Sequence, residues 1–171
     1  MGIALIGSFL ISFSAFALNV GEVIPSFNVK NQEGKQVTEA DLKGKPALLF
    51  FYPKDETPGC TKQACSLRDE YASFKKIGVQ VYGVSRQDEK SHQEFRKKHK
   101  LPFDLLVDSD GKFAEKMGVE TMPLVGLHKR QSVLITPEGK LYKVYKNVDP
   151  DTHTATALKD FEEMLAQNTK K

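Results

Sequence analysis

Residues 47–52, Ala-Leu-Leu-Phe-Phe-Tyr, form an unbroken apolar run in a chain whose residues are 27% charged. An unbroken run, unlike an alternating one, marks a strand covered on both faces, with helices above and below the sheet. The run stops at Pro53, and a helix start follows almost at once. Thr57 is a good N-cap residue and Pro58 suits the first helical position. Beyond it, Leu67, Tyr71, Phe74 and Ile77 recur at helical spacing and read as core. Val79 to Val84 is the next strand, which completes a βαβ unit with a parallel strand pair.

The same alternation runs through the rest of the chain. Pro25 to Val37 reads as a short hairpin turning at residues 31–34. Asp88 to Lys100 is a polar helix ending before Pro102, Phe103 to Val107 a strand, and Phe113 to Met117 a short helix. Ser132 to Thr136 and Lys140 to Lys146 form a hairpin around Pro137-Glu138-Gly139. Thr152 to Gln167 is a final helix with Leu158, Phe161 and Leu165 inward. This pattern predicts an α/β sandwich. Sites in such sheets lie beyond the carboxyl ends of the strands, which is where the loop after Tyr52 falls.

That loop leads to the only two cysteines, Cys60 and Cys65. With Thr57 as N-cap, Cys60 is the third helical residue, among free backbone N–H groups at the positive end of the helix dipole. Both favour thiolate over thiol. The Thr57 hydroxyl is expected close to the Cys60 N–H, and Gly59 allows close approach of a ligand. The donors would form a pocket for a small, oxygen-rich substrate. Thr-Pro-Gly is equally ordinary capping chemistry, and a helical cysteine is often only a small buried hydrophobe. The loop alone leaves both readings open.

The second cysteine favours reactivity. On one helix the two Cα atoms would be roughly 8 Å apart with side chains about 140° apart, beyond disulfide reach. A bond between them requires the first turns of the helix to unwind. That suits a redox pair better than a structural disulfide.

Pro53-x-x-x-Thr57-x-x-Cys60 resembles the peroxiredoxin active-site motif. Thr57-Pro58-Gly59-Cys60-Thr61 with Ala64-Cys65 resembles the bacterioferritin comigratory protein, or peroxiredoxin Q, subgroup. The likeness continues through Gly83-Val84-Ser85, Lys98-His99-Lys100-Leu101-Pro102-Phe103 and Arg130-Gln131-Ser132-Val133-Leu134-Ile135. It covers most of residues 19–168. It implies a thioredoxin-like fold, with a central mixed sheet flanked by helices, and a thiol peroxidase acting on hydrogen peroxide and organic hydroperoxides. Cys60 would match the peroxidatic cysteine and Cys65 the resolving one, closing an intramolecular disulfide. Thr57 and the Cys60 N–H would bind peroxide oxygens, Arg130 would stabilise the Cys60 thiolate and polarise the peroxide, and Pro53 would shield the sulfur. Lys129 neighbours Arg130, and only one of two strand neighbours can face Cys60. No cofactor or metal is implied. The implied partners are the peroxide and a thioredoxin-like reductant, and the subgroup implies a monomer. The alternatives are an exported thiol–disulfide exchange protein, weakened by the absence of C-x-x-C, and a non-enzymatic binding module with structural cysteines.

Residues 1–17 are uncharged and mostly apolar, and Ala15-Phe16-Ala17 fits a signal peptidase site. The expectation is a signal peptide cleaved after Ala17, an exported, periplasmic or otherwise extracytoplasmic protein, and no stable membrane association after cleavage. The n-region carries no Lys or Arg, which leaves an uncleaved membrane anchor or a misassigned start codon as alternatives. Residues 18–171 would form one domain. A net charge of +3 from 25 basic and 22 acidic residues is too balanced to argue for nucleic acid. His92 and His99 lie about 10 Å apart on one helix, too far to share a metal. Cys-x₄-Cys is not a common zinc spacing, and no P-loop or dinucleotide fingerprint is present.

Overall fold

The structure is a computed structural model that describes residues 18–168. The expected signal segment, residues 1–17, lies outside them. Seven strands form one mixed sheet: β1 (Asn28–Asn31), β2 (Gln36–Thr38), β3 (Ala47–Phe51), β4 (Gln80–Ser85), β5 (Asp104–Val107), β6 (Gln131–Ile135) and β7 (Leu141–Tyr145). Their order across the sheet is β2-β1-β5-β4-β3-β6-β7. The β3–β4 and β4–β5 pairs are parallel, and the pairs outside them are antiparallel. Five α-helices accompany the strands: α1 (Pro58–Asp69), α2 (Tyr71–Lys76), α3 (Glu89–His99), α4 (Lys112–Lys116) and α5 (His153–Asn168).

The apolar run is the centre of this arrangement. All five residues of β3 are fully buried, and they alternate between two cores. Leu48 and Phe50 face Cys60, Ala64, Leu67, Phe74, Phe95 and Phe161 from the helices α1, α2, α3 and α5. Ala47, Leu49 and Phe51 face Ile24, Phe27, Leu42, Phe113 and Met117 on the other side. Fully burying one such side chain stabilises by about 1.5–3 kcal/mol, which fixes the register of β3 and therefore the position of the loop that follows it. Gly83, opposite Phe50 in β4, is sterically required. A Cβ there would stand 2.6 Å from Leu105 Cδ2 and 2.8 Å from Phe50 Cζ.

The sequence pattern and the structure differ in the helix that carries the cysteines, and a 3-10 turn at Glu39–Leu42 had no counterpart in the pattern. The stripe Leu67, Tyr71, Phe74, Ile77 predicts a single helix, but the chain forms two, α1 and α2, with Glu70 between them at φ −94°, ψ 7°. The Glu70 N–H still bonds to the Ser66 carbonyl, so the hydrogen-bonded ladder continues up to the break. Helix α3 ends as expected before Pro102. Lys100 adopts the left-handed conformation, and the Leu101 N–H bonds to the Arg96 carbonyl.

Candidate active site

Strand β3 delivers the chain to Pro53, half-buried at its carboxyl end, and a short loop then turns into α1. That loop is held from beneath by a buried polar cluster. Asp55 accepts from Tyr52 Oη at 2.7 Å and from Ser91 Oγ at 2.7 Å, and its Oδ2 lies 2.8 Å from His92 Nδ1. Burial works against the Asp55 carboxylate, but the bonds from His92, Ser91 and Tyr52 outweigh it and hold the carboxyl below its ordinary range. Burial first, and the Asp55 charge second, push the Tyr52 phenol well above its ordinary range. The loop is therefore anchored by a neutral phenol and an ionised carboxylate.

Thr57 is the N-cap of α1 by backbone geometry, with φ −79° and ψ 147°, but its side chain makes no capping bond. The hydroxyl instead donates to the Lys54 carbonyl at 2.9 Å. The hydroxyl therefore makes no capping hydrogen bond to the Cys60 N–H. The physical reason is local: the loop carbonyl of Lys54 competes for the hydroxyl proton, a common role for Ser and Thr at turns.

Cys60 sits in the first turn of α1 at 1% exposure, and both cysteines are free thiols. Arg130, immediately before β6, reaches across to it. Its Nη2 lies 3.4 Å from Cys60 Sγ and its Nη1 donates to Gln63 Oε1 at 2.8 Å. Lys129 turns the other way and pairs with Glu120, so the register places Arg130, not Lys129, at the sulfur. Gly59 makes room for the guanidinium, since a Cβ there would lie 3.0 Å from Arg130 Nη2. Cys65 lies further along α1, partly exposed.

Two residues of this site were not among those expected. Gln63 is fully buried, and its Nε2 lies 3.3 Å from His153 Nδ1. Because Gln63 Oε1 accepts from Arg130, its Nε2 must be the donor to His153. His153 Nδ1 is thus an acceptor, and its proton sits on Nε2. Burial first, and the Arg130 charge second, lower the His153 pKa from 6.5 to about 4. The imidazole is neutral at neutral pH and adds no charge to compete with Arg130 for the sulfur. Gln63 was legible in principle, being three residues after Cys60 on the same helix face. His153 belongs to the start of the last helix and had no local signal.

The His153 shift has a stability consequence. Its folded pKa lies below the unfolded value, so the unfolded chain binds more protons between them. The contribution is complete above pH 6.5 and is lost as pH falls towards about 4, amounting to about 3 kcal/mol at most. Thermal melts at pH 7 and pH 4.5 should show a large acid loss in the wild type and a smaller one in His153→Gln. Equal losses in the two proteins would refute the assignment.

The four histidines do not converge. His92 meets Asp55, His99 meets Glu56, His153 meets Gln63, and His128 Nε2 lies 3.0 Å from Asp108 Oδ2 without the angular geometry of a hydrogen bond.

Comparison with known proteins gives this geometry a context. The AhpC/TSA family matches residues 20–144. The chain is 43% identical over 143 residues to the chloroplastic peroxiredoxin Q of Populus jackii, covering 83% of this chain and 67% of that protein. It is 41% identical over 145 residues to a putative peroxiredoxin bcp of Coxiella burnetii, covering 81% of this chain and 95% of that one. Against several of the plant proteins the chain spans a little under two thirds of their length, 64% for that of Triticum aestivum. Among solved structures, peroxidoxin BcpB of Mycobacterium tuberculosis aligns with a TM-score of 0.79 at 29% identity, covering 85% of this chain and 97% of that one. The bacterioferritin comigratory protein of Xanthomonas campestris, described for its alkyl peroxide reduction activity, aligns with a TM-score of 0.75 at 27% identity, covering 81% and 91%.

These relatives overturn the expectation of export. The matching plant proteins are chloroplastic, which is not an extracytoplasmic destination. The reading of residues 1–17 as an export signal cleaved after Ala17 is withdrawn, and with it the periplasmic location. The physical weakness of that reading is the absence of any basic residue before the apolar stretch, where a secretory signal carries positive charge. The thioredoxin-like fold with its mixed sheet stands. The chain belongs to the AhpC/TSA family and, within it, to the peroxiredoxin Q and bacterioferritin comigratory protein group of thiol peroxidases.

Proposed function

We propose that the chain reduces hydrogen peroxide and organic hydroperoxides through Cys60, resolves the product with Cys65, and is recycled by a thioredoxin-like dithiol. The observation that carries this reading is the Arg130 guanidinium at 3.4 Å from Cys60 Sγ in the first turn of a helix. The guanidinium and the N–H groups of the helix start lie where they would meet negative charge at the sulfur and on a bound peroxide. The thiolate attacks one peroxide oxygen. The S–O bond forms, the O–O bond breaks, and the departing oxygen takes a proton and leaves as water or an alcohol. Arg130 meets the charge that develops on the oxygens. The Thr57 hydroxyl has its own proton committed to Lys54, so its oxygen is free to accept from the peroxide O–H. Pro53 closes the loop side of the sulfur.

The resulting Cys60 sulfenic acid condenses with the Cys65 thiol to a disulfide and water. Both cysteines lie on the continuous helix α1, so this step needs the first turns to unwind. An external dithiol then reduces the disulfide. Such a cycle needs no metal or organic cofactor. Residues 18–171 act as one domain, and a monomer is sufficient, since every group invoked comes from one chain.

Cys65→Ser tests the resolving role. This variant should consume one equivalent of peroxide at the wild-type rate and then stall, losing at least about tenfold in thioredoxin-dependent turnover. Its Cys60 should pass on to the sulfinic acid under excess peroxide, which intact-mass measurement will detect. Full steady-state turnover in Cys65→Ser would refute the role.

A further inference from the structure

Cys65 lies in a side-chain cluster that no step above uses. Its Sγ is 3.5 Å from Arg68 Nη1, on the same helix, and 3.9 Å from His99 Nδ1, at the end of α3. The other ring nitrogen, His99 Nε2, is 3.2 Å from Glu56 Oε1 in the loop between β3 and α1. A carboxylate only accepts, so Nε2 carries the hydrogen of the neutral ring and Nδ1 presents its lone pair to the Cys65 thiol. The ring is held edge-on against Phe95, with centroids 5.0 Å apart.

The charged groups around the thiol come from each element that meets it. Arg68 and Asp69 come from α1, Glu56 from the loop, and Lys98 and His99 from α3. Arg68 is tied to Asp69 and to the His99 carbonyl, the latter at 2.9 Å. Lys98 Nζ meets Glu56 Oε2 at 2.5 Å. Burial works against the Glu56 carboxylate, but its bonds from Lys98 and His99 outweigh it and keep the carboxyl below its ordinary range. Among the described residues, the only non-glycine positions with left-handed backbone are Glu56, at φ 60°, and Lys100, at φ 52°. Both border this cluster, and such conformations persist only where the surroundings fix them.

We propose that His99 is the general base that deprotonates Cys65 for the resolving step, with Glu56 positioning its ring and Arg68 holding the thiolate. This rests on the reading of Cys65 as the resolving cysteine. An ordinary cysteine is only a few per cent thiolate at neutral pH, so a base beside it shortens the life of the sulfenic acid. The Cys65 S–H bond breaks and its proton passes to His99 Nδ1. The sulfur electron pair attacks the Cys60 sulfur, the S–S bond forms and the S–O bond breaks. The Cys60 sulfur is reduced from the sulfenic level as the Cys65 sulfur is oxidised. The departing hydroxide takes up a proton, restoring the count when His99 releases its own, and leaves as water. The proton transfer takes place while α1 is folded and Cys65 still faces His99. Arg68 travels with Cys65 when the turn unwinds.

The test follows reduced full-length protein mixed with one equivalent of hydrogen peroxide, separating the oxidation of Cys60 from disulfide formation. In His99→Ala, disulfide formation should slow at least about tenfold at neutral pH, and added imidazole should restore part of the rate. Cys60 oxidation should stay at the wild-type rate. The wild-type resolution rate should level off once an imidazole is deprotonated, whereas that of His99→Ala should keep rising into the alkaline range. Glu56→Asn, which tolerates the left-handed backbone, should slow resolution less than His99→Ala does. Wild-type resolution in His99→Ala, or slowing that imidazole does not relieve with the pH profile unchanged, would overturn the general-base role. Peptide mapping separates this from the parent reading. A wild-type Cys60–Cys65 disulfide with unslowed resolution in His99→Ala overturns the base alone. Absence of that disulfide in the wild type overturns both.

Discussion

Replacing Cys60 by Ser will abolish peroxide turnover, with a loss of at least about 10³-fold, while the fold survives. Cys60 is the sulfur enclosed by the first turn of α1 and met by Arg130 Nη2 at 3.4 Å. A serine hydroxyl fills nearly the same volume, so packing against Ala64 and Leu67 changes little. A hydroxyl is not ionised by one guanidinium and a helix end, and its oxygen does not accept an oxygen atom from a peroxide. Cys65, five residues on, cannot substitute, because it faces Arg68 and His99 instead of Arg130. Peroxide consumption by the purified variant, with a thermal melt to verify the fold, checks this. Retention of a tenth or more of wild-type turnover would show that the chemistry lies elsewhere.

Arg130→Lys will cost about 10²-fold or more in the rate of Cys60 oxidation, despite keeping the charge. The guanidinium uses two nitrogens at once, Nη2 on Cys60 Sγ and Nη1 on Gln63 Oε1. A lysine offers one flexible ammonium in place of this fork. It cannot hold Gln63 and aim at the sulfur together, and it loses the plane that packs over Gly59. Gln63 Oε1 would then lose its donor while remaining buried, with only the Nε2 bond to His153 kept, an arrangement that costs about 1–3 kcal/mol. Single-turnover oxidation by hydrogen peroxide reads the effect. A rate within about threefold of the wild type would mean that charge alone suffices, contrary to the fork geometry.

The sheet centre was legible because β3 is buried on both sides and its sequence is an unbroken apolar run bounded by Pro53. The helix start at Thr57-Pro58 was legible from capping chemistry, and the position of Cys60 in the first turn followed from it. The break at Glu70 was not legible, since a helical stripe continues across it unaltered. Arg130 could be named but not aimed. Its direction depends on the pairing of β3 with β6, which sets Phe51 opposite Gln131 and leaves the preceding residue at the carboxyl end of β3. The acceptor of the Thr57 hydroxyl was not legible, because Lys54 lies in an irregular loop with no periodic signal. His153 and His99 are joined to the cysteine helix by contacts between distant segments. Only the folded chain brings Gln63 to His153, or Glu56 to His99. Capping chemistry and spacing therefore placed Cys60 and its helix, whereas Arg130, His153 and His99 reach that helix through tertiary packing.

One buried thiol and its neighbour on the same helix are proposed to carry a complete peroxidase cycle. Mixing the reduced protein with one equivalent of hydrogen peroxide, and following peroxide and free thiols together, tests it most directly. Rapid loss of the peroxide, with both thiols vanishing into a single intramolecular Cys60–Cys65 disulfide, is the predicted result. Peroxide that persists beside two intact thiols would contradict the account.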